Sequence, residues 1–496
     1  MRAYERLTKR FHRRSAISGA VALLQWDRAA MMPTGGAEAR AEQVAVLETL
    51  AHGLIADPAV AEDLAAAEGE SLSAAERANL REMRHAWVHA AALPSDLVAA
   101  LARAGAACEM AWRAARAAAD FPAVLPSLSA LLALVREEAA AKAEALSVSP
   151  YDALLDAYEP GGKSAEIDRV FADLAAFLPG FLDEVLAAQA ARPAPLPLTG
   201  PFPVAAQKAF VRAVMTAMGF DFAHGRLDES AHPFCGGIAD DVRLTTRYRE
   251  EDAFSGIFGV IHETGHALYE RGLPAAWRGQ PAGEARGMSV HESQSLSMEM
   301  QAGRSRAFLS WLAPAMAAAF GGAGPAWAVE NFVALAQTVE RGFIRVEADE
   351  VTYPAHVILR YRLERAMIAG DLPLADLPGA WGEGMKELLG VAPPDDAQGC
   401  LQDIHWYDGA WGYFPTYTLG AMTAAQLFAA AKRAEPGLEA ALARGDFAPL
   451  LGWMRANVHV HGALLETPEL LTRATGSPLS AEAFKAHLRA RYVEGA

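Results

Sequence analysis

The chain has 496 residues, a formal net charge of −16 and a pI near 5.4, with hydrophobic residues at 52% and aromatics at only 8%. That is enough chain to bury a large core without covalent staples, and no Lys/Arg block offers the basic patch that nucleic acid would require. The three cysteines, Cys108, Cys235 and Cys400, form no close pair, which argues against a disulfide framework or a cysteine-based zinc site and makes the cytoplasm the default compartment.

Ala, the strongest helix former, is very heavily used, so a mostly helical protein is expected. The first 145 or so residues read as consecutive helices, with Ala, Leu and Val at spacings of three and four between Glu and Arg, as in AEARAEQVAVLETLAHGLIA. MMPTGG (Met31 to Gly36) breaks the first two helices, and Pro94 and Pro122 mark later turns. The N-terminal segment is charged and amphipathic, and nowhere do 18 uninterrupted apolar residues occur, so neither a signal peptide nor a membrane span is expected. Ser149 to Asp168 is a turn-rich bridge into another helix. The Pro-rich Ala191 to Val204 is the best linker candidate, predicted to wrap the surface in extended form. After one more helix, His232 to Tyr248 carries Gly pairs and the alternating run VRLTTRY, which predicts a small hairpin or sheet beside the helical body. Beyond residue 250 the helical pattern returns, interrupted near 272–287 and 391–418. No fixed-period repeat and no sharp composition shift divides the chain.

The sharpest chemical signal is GVIHETGHALYERG, with His262, Glu263 and His266. Apolar residues from Phe254 to Tyr269 keep helical spacing, and Gly272 is a suitable stop. Positions i and i+4 lie one turn apart on one helix face, so both imidazoles can reach one ion while Glu263 stands beside it as a base. Gly265, mid-helix between the histidines, costs about 1 kcal/mol relative to Ala and suggests a close approach by another element. A catalytic zinc wants a third protein ligand and an open position. The metzincin third histidine is absent, since position 272 is Gly. Glu292, in GMSVHESQSLSMEMQAG, is the best candidate, with Glu284 and Glu299 as rivals. Two further stretches mix charge and aromatics. GFIRVEADEVTYPAHVILRYRLE is expected to place Arg345, Glu347, Asp349, Tyr353 and His356 in one helical stretch, and GCLQDIHWYDGAWGYFPTYTLG packs Gln402, Asp403, His405, Tyr413 and Tyr417 around Gly and Pro. A peptidase cleft would use an Arg to pair a carboxylate, a Tyr or His to hold an oxyanion, and carboxylates to orient metal-bound His.

With these motifs in hand, the chain resembles the Taq-type thermostable metallocarboxypeptidases. WDRAAMMPTGGAEARAEQ, PYDALLDAYEPG, HPF, DVRLT, HETGH, HESQ, IRVEAD, GCLQDIHW, GYFPTYTLG and HVHGALLETPELLTRATG occur in the family's order along most of the chain. The resemblance implies a helical, saddle-shaped body with a deep groove and a small sheet, usually a homodimer. It implies one catalytic domain over residues 1–496, with an N-terminal helical region to about residue 200 and a catalytic region beyond. It implies His262, His266 and Glu292 as ligands of zinc, with cobalt able to substitute, and Glu263 as base. The implied reaction releases single residues from peptide C-termini with broad specificity, poorly at Pro. Arg345 would pair the substrate's terminal carboxylate, and Tyr417, or less favourably Tyr413, would stabilise the tetrahedral intermediate. His232, Arg243 and His405 would line the cleft. A helical oligopeptidase that cuts internally or releases dipeptides is the nearest alternative, and a catalytically idle helical scaffold the more distant one.

Overall fold

A computed structural model describes residues 1–495 of the chain. The chain is mostly helical with one three-stranded sheet, as the Ala-rich periodicity and the single alternating run predict. Helices α1 (Ala3–Ala30), α2 (Ala37–Ala56), α3 (Pro58–Glu68) and α4 (Ala74–Ala91) come first. They are followed by α5 (Ser95–Ala118), α6 (Phe121–Leu146), α7 (Pro150–Leu155) and α8 (Ser164–Ala190). The breaks fall at the punctuating residues: MMPTGG separates α1 from α2, Pro94 precedes α5, and Pro122 occupies the first turn of α6. Ser73 and Glu76 close a reciprocal capping box at the start of α4.

The Pro-rich residues 191–203 run without regular structure into α9 (Val204–Ala217). Strands β1 (Gly225–Glu229), β2 (Phe234–Ile238) and β3 (Asp241–Thr246) lie in the order β1-β3-β2, with an antiparallel β2/β3 hairpin and β1 parallel to β3. Alternation buries Val242 and Leu244 and leaves Arg243 on the opposite face. Downstream come α10 (Ala253–Gly272), α11 (Met288–Leu296), α12 (Arg306–Phe320), α13 (Val329–Ala336), α14 (Tyr353–Ala369), α15 (Leu377–Leu389), α16 (His405–Asp408) and α17 (Pro415–Ala434). Shorter helices complete the chain.

One expectation is corrected. Arg345, Glu347 and Asp349 do not share a helix with Tyr353 and His356, because α14 begins only at Tyr353. The Asp349 carboxylate folds the chain before it, accepting the backbone N–H of Glu340, Val351 and Thr352 and the Thr352 hydroxyl. An Asp that captures nearby amides in this way competes with helix and starts one instead.

Three apolar clusters hold these elements. Leu7, Phe11, Val60, Leu64 and Met83 unite α1, α3 and α4. A second cluster joins α5, α6, α8, α14 and α15, and a third joins α9, β3, α10 and α12. Helix α17 belongs to both larger clusters, with Leu419 and Met422 in one and Leu427 and Phe428 in the other. Among the described residues no single helix is long and apolar enough to cross a membrane.

Candidate metal centre and active site

Asp252 caps α10 by accepting the Ser255 amide at 3.0 Å. Ile257, Phe258, Ile261, Leu268 and Tyr269 are buried in the core, and His262 and His266 stand one turn apart with ring centroids separated by 4.9 Å. Two glycines bring α11 against this helix and against α17. A Cβ on Gly265 would lie 2.6 Å from Ser295 Cα and 2.7 Å from the Gln294 carbonyl oxygen, and one on Gly420 would lie 2.8 Å from Glu292 Cβ. Only a residue without a side chain permits either approach, and the mid-helix glycine of the sequence motif thereby has its reason. Helix α11 is gripped from both sides, with the Glu292 carboxylate directed at the paired histidines.

Glu292 Oε2 lies 3.4 Å from His266 Nε2 and 3.8 Å from His262 Nε2, and one ligand-type atom from each residue falls within 4.8 Å of the others. Donors about 2.0–2.1 Å from a shared tetrahedral cation stand roughly 3.3 Å apart, so the set has the spacing of a divalent site. The three side chains are 13–22% exposed, which leaves solvent a way to an open position. Burial works to lower both histidines: Glu292, Glu299 and Glu263 nevertheless bring His262 up to about 10, whereas His266 is held down at about 4. Two imidazoles and a carboxylate suit zinc and its neighbours among divalent ions.

Behind the triad each histidine has an orienting partner. His262 turns Nδ1 to Glu299 Oε2 at 3.1 Å, and Arg304 donates to Glu299 Oε1 at 2.9 Å. Glu299 reaches this position from a π turn over Ser297–Gly303 that follows α11. His266 Nδ1 is 2.7 Å from His291 Nδ1, and His291 Nε2 is 2.9 Å from Glu270 Oε1. This order fixes the tautomers. With the His266 Nε2 lone pair directed into the triad, its ring proton sits on Nδ1 and is donated to His291. The His291 proton then sits on Nε2 and is donated to Glu270. Glu263, one residue beyond His262, is buried, and burial raises its carboxyl to about 7.

A second polar group lies beside the first. Arg345 donates from Nη2 to Asp403 Oδ1 at 2.8 Å and from Nη1 to the Tyr353 hydroxyl at 2.7 Å, and Arg360 donates from Nε to Asp403 Oδ2 at 2.6 Å. Two guanidinium groups thus share one carboxylate, leaving a net positive charge in a nearly solvent-free position. The Tyr417 ring lies 4.8 Å from the Arg345 guanidinium carbon, and its hydroxyl is 3.1 Å from His405 Nε2. Burial holds His405 down at about 4, so its ring is neutral. His405 Nδ1 has no partner among the described residues, which favours the tautomer with the proton on Nε2, donated to Tyr417. The Tyr417 O–H then points away from His405, with the Tyr413 hydroxyl within its reach. Tyr417 stands one turn before Gly420 on α17, and Gly420 packs against Glu292, so this aromatic group adjoins the triad.

The family profile described as "Carboxypeptidase Taq (M32) metallopeptidase" matches residues 6–492. The chain belongs to this family. It is 42% identical to thermostable carboxypeptidase 1 of Thermus thermophilus over 99% of this chain and 98% of that protein. It is 34% identical to carboxypeptidase 1 of Bacillus subtilis over 96% and 95%. Among solved structures, Trypanosoma cruzi metallocarboxypeptidase 1 superposes with a TM-score of 0.97 at 41% identity, covering 99% of both chains. The M32 carboxypeptidase of Deinococcus radiodurans does so with 0.93 at 37%, again over 99% of both. The protein is therefore a metallocarboxypeptidase of the M32 family.

Within this M32 fold, Glu292 is the one of the three candidate glutamates that stands with both histidines. Glu299 lies behind His262, and Glu284 is solvent-exposed and outside the cluster. Tyr417, Tyr413, His405 and Arg345 come together, with Tyr413 and Tyr417 ring centroids 5.2 Å apart. Arg243 and His232 belong to the sheet region instead. Arg243 pairs with Asp241 at 2.7 Å and lies 4.3 Å over the Trp26 ring of α1, while His232 is exposed between β1 and β2. Neither touches the triad. His356 is fully buried, and burial lowers its pKa to about 3. It is a neutral core residue.

The residues that sequence reasoning missed are the supports. His291 reads only as a neighbour of Glu292, and no motif singles out Glu270 or Arg304. His291 and Glu270 meet only because α11 crosses α10, whereas Arg304 reaches Glu299 from five residues along the same segment.

Proposed function

We propose that the chain is a zinc-dependent carboxypeptidase that releases single residues from the C-termini of peptides, with broad specificity and poor action at Pro. His262, His266 and Glu292 would hold the ion, which cobalt could replace. When bound, such a cation acidifies water and polarises a carbonyl. Glu263, with its carboxyl near 7, takes the proton of the attacking water and delivers it to the leaving amine. Tyr417, kept protonated by burial, donates to the oxyanion of the tetrahedral intermediate, and Tyr413 is the less favoured donor. The net positive charge of Arg345, Arg360 and Asp403 draws the substrate's terminal carboxylate, with Arg345 as its partner. His405 orients Tyr417, Tyr413 lines the cleft beside it, and His232 and Arg243 flank the approach from the sheet. The observation that carries this reading is Tyr417, which stands one turn before Gly420, the residue packed against Glu292, and 4.8 Å from the Arg345 guanidinium. An internal peptide bond offers no anion to such a group, which favours an exopeptidase over an oligopeptidase.

The sharing of α17 between both larger apolar clusters supports a single catalytic domain. Three free thiols suit a reducing compartment and support a cytoplasmic location, and the family resemblance supports a homodimer. The test is to incubate zinc-loaded protein with an N-terminally blocked hexapeptide, with and without chelator, and to weigh the products. A ladder shortened one residue at a time, abolished by chelator and restored by zinc or cobalt, is expected. Internal fragments or dipeptide steps would overturn the exopeptidase assignment.

A further inference from the structure

A second His–His–carboxylate group lies outside the catalytic constellation. Helix α4 carries a polar stripe at helical spacing, Asn79, Glu82, His85 and His89, along the side that meets the rest of the protein. Asn79 accepts the Ala282 amide at 3.1 Å, and Glu82 accepts from Arg286 at 2.9 Å. One turn further on, His85 Nε2 and His89 Nε2 lie 2.7 and 2.8 Å from a single atom, Asp156 Oδ2, with ring centroids 4.6 Å apart. Asp156 Oδ1 accepts the Gly161 amide at 2.7 Å, which fixes the carboxylate and aims its other oxygen at the histidines. The three side chains are 13–26% exposed, so water can complete a coordination shell.

We propose that His85, His89 and Asp156 form a second divalent-cation site, separate from the catalytic one, that pins α4 to the loop following α7. The donor atoms are His85 Nε2, His89 Nε2 and Asp156 Oδ2, which converge from two elements and fall within 4.8 Å of one another. Two imidazoles at i and i+4 plus a carboxylate repeat the chemistry of His262, His266 and Glu292. The donor set suits zinc, cobalt, nickel or copper rather than magnesium or calcium. To admit such an ion the nitrogen–oxygen separations must open from 2.7–2.8 Å to roughly 3.3 Å, about half an ångström each. The proton count also closes. Each ring now carries its proton on Nε2 towards Asp156. Among the described residues the hydrogen bonds of both rings run through Nε2 alone, so the proton can move to Nδ1 by tautomerisation and free Nε2 for the ion.

The loop held in this way supports the catalytic helix. The Tyr158 carbonyl accepts the Met288 amide at 2.8 Å, and Glu159 Oε2 accepts the Ser289 amide at 3.1 Å, so residues just after Asp156 receive the first turn of α11. A cation at the second site therefore fastens the N-terminal helices to the segment on which Glu292 is mounted.

The test counts metal. Protein stripped by chelator is equilibrated with zinc alone at low micromolar free concentration, and bound zinc per chain is measured by elemental analysis. The wild type should hold two zinc ions per chain, and His85→Gln and Asp156→Asn one each. Magnesium should not fill the second position. Melting temperature is followed in parallel, and the zinc-dependent rise of the wild type should exceed that of either variant. Asp156→Asn keeps an acceptor for the Gly161 amide, so it decides the matter if His85→Gln folds poorly. Equal zinc content and equal zinc-dependent melting in the wild type and the folded variants would overturn the proposal and leave the cluster a hydrogen-bonded staple. The readout is the difference between wild type and variants, so failure of the catalytic site to bind zinc would lower all counts together and remain distinguishable.

Discussion

Removing His291 from behind His266 should weaken zinc binding by a predictable amount. Among the described residues His266 Nδ1–H has one acceptor, His291 Nδ1 at 2.7 Å, and His291 has one of its own, Glu270 Oε1 at 2.9 Å. His291→Phe keeps an aromatic ring in place but leaves a buried N–H without a partner, which costs about 1–3 kcal/mol, or roughly 5- to 150-fold in zinc affinity, a range that spans the usual effect of such outer partners. Glu270→Gln is milder, because the amide oxygen still accepts from His291 and only the charge assistance is lost. About 1 kcal/mol, or roughly fivefold, is expected. The two effects act in series, so Glu270→Gln should add almost nothing in the His291→Phe background, a coupling of about the whole single-mutant effect. Zinc dissociation constants from chelator competition, on variants verified as folded by circular dichroism, measure all three quantities. Unchanged affinity in His291→Phe, or simple additivity in the double variant, would refute the relay.

Three further outcomes are expected. Glu263→Gln should retain zinc and lose at least about 100-fold in kcat, and undiminished turnover of the zinc-loaded variant would remove Glu263 from the chemistry. Arg345→Ala should raise KM for peptides with a free C-terminal carboxylate and leave C-terminally amidated peptides equally poor, and a matching change in both would put the carboxylate partner elsewhere. Glu350 is enclosed by His487, Arg491 and Tyr492. Burial works to raise it, but His487 and Arg491 bring it down to about 2. A depressed carboxyl contributes stability above its unfolded value near 4.5 that is lost as pH falls through the folded value, on the order of 3 kcal/mol when complete. The stability gap between wild type and Glu350→Gln, from urea melts, should therefore narrow as pH drops from about 4.5 towards 2, and a constant gap would contradict it.

What could be read from the sequence follows the range of each interaction. The helices were legible because their periodicity and breakers are local, and α10 with its two histidines was legible for the same reason: i and i+4 need only the helix itself. The misplaced helix start near Arg345 arose from a local competitor, the Asp349 carboxylate, whose capture of three backbone amides overrides the apolar pattern around it. The supporting residues were illegible for a different reason. His291 and Glu270 are 21 residues apart and Asp403 and Arg345 are 58 apart, and spacing of that length carries no geometric information until the crossing of the helices is known. Gly265 is the exception that links the two regimes. As a local feature it is only an unfavourable residue in an Ala-rich helix, yet its cost of about 1 kcal/mol requires a compensating contact, and that contact is the backbone of α11 at Ser295. The mid-helix glycine therefore carried the one piece of long-range information in the motif: where the second helix crosses, and so where the third carboxylate had to come from.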